Sequence, residues 1–442
     1  MQDLTKGKVF RQIFLFALPM LVGNVFQQMY NIVDSIIVGR FLGKEALAAV
    51  GASFPVIYTL IAFIIGIGGG FSIVISQYFG AKNYEKVTKS VDTMIITLGL
   101  FSILLTFIGI YFSEDIFLLL RLPVELFPQA KLYLNTYLSG TILFCGYNTV
   151  SSTLRGIGDS KTPLYFLIIS TITNILLDLV FIVGFDMGIK GAAWATVISQ
   201  GVSFFAAVFY LNKYHSFIKY KLIKLKFDRT ILGQAIRIGL PSAFQQTFVA
   251  VGMMALMGII NTFGTNVIAA YTAASRIDSL AIMPSMNFSQ ALAAFVGQNI
   301  GAKNIERIKS GYKSTMIMSG ALCIILTLII IIFGESMMRL FTTDSAVVAI
   351  GEEYLIIISS FYLIFSLMFT THGVLRGAGA TLIPMFITLF ALWVVRIPIA
   401  YLLTPSLGAI GIWWAVPCGW TMGLIASWLY YKSGKWKNKG VV

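Results

Sequence analysis

The chain has 442 residues, of which 57% are hydrophobic and only 11% charged, and its mean hydropathy is +0.85. Ordinary soluble domains carry about a quarter charged residues, so the composition argues against a soluble enzyme. The formal net charge of +14 would suit a nucleic-acid partner, but the charges sit between apolar runs rather than in one block, so none is expected.

At about 20 apolar residues per crossing helix, the length holds about a dozen spans with short loops and no separate soluble domain. Apolar runs bounded by charge or by Gly and Pro predict helices near 12–39, 47–79, 91–112, 132–154, 163–184 and 191–211. A second set is predicted near 231–262, 267–298, 312–333, 354–375, 382–403 and 409–431. The basic flank from Lys6 to Arg11 imitates a signal peptide. Its apolar run has a repeat mate in mid-chain, however, and is therefore read as the first span.

Most of the 32 Lys and Arg residues fall in the N-terminal segment and in the loops 82–89, 155–161, 213–237, 303–313 and 432–439. Short cytoplasmic loops hold the excess of Lys and Arg, so both termini are expected in the cytoplasm of a prokaryotic cell, with the chain in its plasma membrane. The stretch Lys219 to Lys226 is expected to touch anionic lipid head groups. Cys145, Cys323 and Cys418 lie in separate apolar runs with no spacing that suits zinc, and read as small buried hydrophobes.

An internal repeat organises the whole chain. Gln77-Tyr-Phe-Gly-Ala-Lys-Asn83 recurs as Gln298-Asn-Ile-Gly-Ala-Lys-Asn304, and Leu154-Arg-Gly-Ile-Gly158 as Leu375-Arg-Gly-Ala-Gly379, both at an offset of 221 residues. Pro19 matches Pro241, Leu47-Ala-Ala49 matches Ile268-Ala-Ala270, and Trp194-Ala195 matches Trp414-Ala415, in the same order. A tandem duplication of a six-helix unit follows. The expected fold is an all-α polytopic membrane protein, with twelve transmembrane helices as two parallel six-helix repeats around a central cleft. Its expected lobes are 1–211 and 231–442, joined by a basic cytoplasmic linker at 212–230. Transporters built from such repeats hold their substrates near the midplane and rock one bundle against the other.

Ionisable side chains inside spans are costly, so each is a functional hypothesis. Gln27, Asn31 and Asp34 are spaced to share one face of the first helix, and Asn174 and Asp178 share a face of the fifth. Brought together in a low dielectric, the two carboxylates want a proton or a hard cation such as Na⁺. The bland alternative is that both acids are hydrogen-bonded glue between helices. Arg276 and Asp278 are two residues apart and point to different faces; Asp278 is expected to attract a cationic substrate and Arg276 to lock the bundle. His372 is expected either in a proton path or as a packed histidine, and Arg396 as a structural side chain reaching for an interface. Tyr30, Met253, Met254, Tyr271, Met283 and Met286 lie nearest the polar stripes and are expected in the wall of a substrate cavity with Gln27, Asn31 and Asp278.

The duplicated Gly-Ala-Lys-Asn and Leu-Arg-Gly-x-Gly segments, with Asp34-Ser-Ile-Ile-Val-Gly39 closing the first span, resemble the multidrug and toxic compound extrusion (MATE) family over nearly the whole chain. The resemblance implies an exporter of amphipathic organic cations driven by inward Na⁺ or H⁺. It also implies a cation site in the first lobe at Asp34, Asn174, Asp178 and Thr196. Family members with a second-lobe cation site use carboxylates in spans seven and ten. This chain has Gln245 and Gln246 after Pro241 and no acid after Glu353.

No phosphate-binding loop, H-E-x-x-H or nucleophile elbow is present. No enzymatic activity and no cofactor beyond the coupling ion are expected, and a monomer in the bilayer is. The alternative function is a flippase or exporter of a lipid-linked or amphiphilic metabolite, which would want more buried Lys and Arg than Arg276 and Arg396. A membrane-embedded prenyl- or acyl-transferase would want an acid-rich motif that this sequence lacks.

Overall fold

The structure, a computed structural model, describes residues 3–119, 122–215, 218, 220 and 224–442, and no strand occurs among them. The expected lipid contacts Lys219 and Lys221, and Arg121, lie outside the described residues. The first half of the chain folds as α1 (Val9–Phe41), α2 (Lys44–Gly80), α3 (Tyr84–Tyr111), α4 (Ser113–Leu119), α5 (Phe127–Ser139), α6 (Thr141–Gly156), α7 (Lys161–Asp178) and α8 (Gly188–Tyr214). The second half continues as α9 (Arg229–Ile260), α10 (Thr265–Gly301), α11 (Ile305–Arg339), α12 (Ser345–Ser359), α13 (Tyr362–Gly377), α14 (Leu382–Leu389), α15 (Ile397–Leu407) and α16 (Ala409–Lys432). Wider π-helical turns follow α7 at Leu179–Gly184 and α14 at Phe390–Arg396.

Among the described residues, ten helical runs are each long and apolar enough to cross a membrane, and α12 with α13, bent by 48°, can make an eleventh. The span predicted near 132–154 is not one helix but two, α5 and α6, parted at Gly140. A hydroxyl bonds back to its own helix at each interruption. Ser139 turns back onto the carbonyl of Thr136 (2.6 Å) and Ser360 onto that of Ile356 (2.7 Å); such back-bonding loosens the helix where it occurs.

The repeated motifs are turn chemistry. Lys82 and Lys303 both take left-handed backbone (φ 58°), and the Asn that follows each caps the next helix. Asn83 accepts from Lys86 N and Asn304 from Arg307 N, both at 3.1 Å. In Leu-Arg-Gly-x-Gly the last glycine has φ 88° in the first copy and 87° in the second, ending α6 and α13 in a conformation that an L side chain resists.

The helices gather into two compact units, one of residues 18–243 and one of Asp3–Ala17 with Phe244–Val442. In the first unit Gly66 and Gly70 of α2 meet Ala235, Gly239 and Ala243 of α9 so closely that a Cβ at Gly70 would lie 2.3 Å from the Ala235 carbonyl oxygen. Stripes of small residues at four-residue spacing let helix backbones approach where lipid supplies no hydrophobic drive. The unit's core is Ile37, Val38, Phe117, Leu134, Leu138 and Ile182 with the small Ala49, Ala192 and Ala193.

The second unit packs Leu256, Ile260, Leu355, Ile358, Tyr362 and Trp413. It also holds the N-terminal segment. Arg307 bonds the carbonyls of Leu4 (3.1 Å), Lys6 (2.8 Å) and Gly7 (2.9 Å) and the Gln12 amide oxygen (2.7 Å), while Gln298 accepts from Leu4 N at 2.9 Å.

Candidate functional site

In the first unit, α1, α7 and α8 bring Asp34, Asn174, Asp178 and Thr196 together. Asp178 and Asn174 are fully buried and Thr196 nearly so. The carboxyl groups of Asp34 and Asp178 lie within hydrogen-bonding reach of each other. In the orientation that satisfies both ends of its amide, Asn174 donates to Asp178 Oδ2 (2.9 Å) and accepts from Thr196 N (3.3 Å). The Thr196 hydroxyl donates to the Ala192 carbonyl (3.2 Å) and meets the Tyr30 hydroxyl at 3.4 Å. One oxygen of each carboxylate, Asp34 Oδ1 and Asp178 Oδ1, is buried without a partner.

That geometry has a chemical consequence. Two carboxylates in contact cannot both stay charged in a dry setting unless a proton or cation sits between them. Asp178 ends α7 immediately before its π-helical turn, and such turns recur at functional positions because they free backbone and side-chain groups from the regular ladder. The surrounding oxygens belong to carboxylate, amide and hydroxyl groups, the donor set of a hard cation. Tyr133 and Tyr137 of α5, stacked at 6.4 Å, add to the shell; Tyr133 is an electrostatic neighbour of Asp34 and Asp178. Neither tyrosine stands out in the sequence, where aromatics are spread through every apolar run.

The other residues expected on the polar face of α1 lie differently. Gln27 and Asn31 are half-buried, and Asn31 turns to Gln28 of its own helix (3.4 Å) rather than to the carboxylates.

The second unit holds a separate cluster. Asp278 of α10 accepts from the Tyr362 hydroxyl through Oδ1 (2.8 Å) and from the Tyr354 hydroxyl through Oδ2 (3.4 Å). Tyr271, Tyr354 and Trp413 pack on one another, with ring centroids 5.0 to 5.8 Å apart. Arg396 is buried, with Nη1 3.9 Å from Met253 Sδ. Asp278 and Tyr271 thus meet residues the sequence did not single out, Tyr354, Tyr362 and Trp413, each of which reads as ordinary apolar filling, and Met253 touches Arg396. Arg396, expected to reach for an interface, is instead drawn inside. Met254 is exposed, and Met283 and Met286 are half-buried further along α10. Arg276 is exposed. His372 is fully buried and bonded through Nε2 to Ser427 (2.8 Å), the arrangement of a packed histidine.

Comparison with known proteins bears on the family of the chain. The MatE family model matches residues 19–180 and again 241–402, the same duplication seen in the repeated turns. The probable multidrug resistance protein YpnP of Bacillus subtilis (strain 168) is 33% identical over 98% of this chain and 97% of its own. The multidrug export protein MepA of Staphylococcus aureus (strain bovine RF122 / ET3-1) is 24% identical over 93% of this chain and 91% of its own. Among solved structures, the outward-facing conformation of a multidrug resistance MATE family transporter of the MOP superfamily superposes with a TM-score of 0.91 at 26% identity, covering 98% of this chain and 97% of that one. Two matches to one family model, a relative aligned from end to end and a shared fold lead to one conclusion: the chain belongs to the MatE family of multi-pass membrane transporters.

Proposed function

We propose that the protein is a cation-coupled antiporter that exports amphipathic organic cations by alternating access, with Na⁺ or H⁺ as the inward ion. Asp34, Asn174, Asp178 and Thr196 would bind that ion. The observation that carries the reading is the contact between Asp34 and Asp178, each with one buried oxygen left over. Such a pair binds a proton or hard cation in one state and must be re-solvated in another, so ion occupancy and helix packing are linked. Relatives named for multidrug resistance and multidrug export support the substrate side of the reading.

Membrane voltage contributes roughly 2.3 kcal/mol per 100 mV for each charge moved. Exporting a monovalent cation therefore takes at least one inward ion to balance charge. The excess of Lys and Arg on one set of loops supports, under the same reading, a topology with both termini in the cytoplasm.

The test is efflux of a fluorescent organic cation from proteoliposomes under an imposed Na⁺ gradient or an imposed pH gradient. Efflux driven by one of them supports antiport and identifies the ion. Efflux indifferent to both gradients would reject coupling.

A further inference from the structure

The second unit contains a buried positive charge, Arg396, that forms no ion pair among the described residues. Arg396 is 6% exposed, and its Nε is buried without a hydrogen-bond partner. Its Nη1 rests against the Met253 sulfur, a weak acceptor. The ion pairs among the described residues include Lys89 with Glu85, Lys131 with Glu114, Lys309 with Glu306 and Arg339 with Glu335, and none involves Arg396. Asp278 is an electrostatic neighbour whose two oxygens accept tyrosine hydroxyls, and it forms no ion pair with the guanidinium.

A guanidinium has five N–H donors arranged to meet a carboxylate bidentately. Burying one with donors unmet is expensive, and a side chain kept in that condition asks for an acceptor from outside. A second orphan donor belongs to the same cluster: Trp413 Nε1 is buried and unpartnered, on a ring stacked parallel to Tyr271 at 5.8 Å. Tyr271 also neighbours the guanidinium. Met253 is 42% exposed and Tyr271 half-buried, whereas Arg396 and Trp413 are buried. Arg396 closes the π-helical turn that follows α14.

We propose that Arg396 anchors the carboxylate of an aromatic substrate in the second unit, with Trp413 as an accessory donor and Tyr271 and Met253 as the apolar wall. The transported class then includes compounds that carry an acidic group beside their cationic or aromatic part, while Asp278 stays bonded to Tyr354 and Tyr362. This inference rests on the export reading above for its substrates, but not on the coupling site.

The test uses two probes with one ring system, a rhodamine bearing a free benzoate and the methyl ester of that dye. Binding to the purified full-length protein is followed by fluorescence anisotropy with no ion gradient, so the result does not depend on whether coupling occurs. Arg396→Gln is expected to weaken the acid at least tenfold and to leave the ester within twofold. Arg396→Lys should retain part of the acid's affinity, and Trp413→Phe, which keeps the ring and removes the N–H, should weaken the acid alone. Equal loss for both dyes in Arg396→Gln and Trp413→Phe would assign these residues to packing and overturn the proposal. So would an Arg396→Gln variant that binds the acid as well as the parent, or a parent that binds the ester but not the acid. An efflux assay in which the parent moves neither dye would reject the export reading while leaving the binding comparison interpretable.

Discussion

At the scale of single residues, the dicarboxylate site depends on oxygens contributed by three helices. Thr196 shows how the parts combine. Its hydroxyl meets Tyr30 and its backbone N–H holds the Asn174 amide, which in turn holds Asp178. Replacing Thr196 with Val removes the hydroxyl and keeps the shape and the backbone bond. A hydrogen-bonding group of this kind contributes about 0.5–1.5 kcal/mol. The half-saturating concentration of the coupling ion should therefore rise about two- to tenfold, measured as the ion dependence of efflux, with little change in thermal stability. Asn174 and Asp178 were legible in the sequence because four-residue spacing on an apolar helix is a local signal. Thr196 was legible only through the family resemblance, since its place beside Asn174 depends on how α7 and α8 pack. Arg396 was legible as a charge within a span but was expected at an interface, not buried: no sequence pattern tells which groups lie within reach.

Among the helices and turns, the repeated motifs serve architecture. Gly379, at φ 87°, must leave α13 in a conformation that costs other residues about 1–2 kcal/mol. Gly379→Ala should lower stability by about that amount, seen as a reduced melting temperature in detergent, and Gly158→Ala should do the same at its equivalent turn. Unchanged melting in both variants would mean that the turns relax without strain. The apolar runs made most helices readable, because about twenty residues of uninterrupted hydrophobicity are the length a bilayer core demands of a crossing helix. The breaks at Gly140 and Ser360 were not readable. Ser139 and Ser360 bond their own helices there, but the same back-bonding occurs at Thr97 and Thr272 inside unbroken helices, so it leaves no readable signal.

For the whole molecule, the duplication was the most informative feature of the sequence, and the family model matches each copy in turn. Packing, however, follows space rather than chain order. Asp3–Ala17 belongs with residues 244–442, and the start of α9 with residues 18–243, because Arg307 gathers the N-terminal carbonyls and the small-residue stripe of α2 receives Gly239. Such exchanges arise from contacts far apart in sequence and leave no local pattern to read. Orientation in the membrane is a separate matter that the loop charges address. Single cysteines placed at Lys435 and at Asp186, in a variant lacking the three native cysteines, should react oppositely with an impermeant thiol reagent applied to intact cells: Asp186→Cys labelled, Lys435→Cys protected. The reverse pattern would invert the proposed topology.

The central claim, that the Asp34 and Asp178 pair couples ion entry to export, is tested most directly by separating driven from undriven flux in one variant. Asp178→Asn in proteoliposomes should lose uphill efflux under either ion gradient while retaining counterflow of substrate between equal ion concentrations. Uphill efflux that persists at the parent's rate in Asp178→Asn would contradict the account and place coupling elsewhere in the chain.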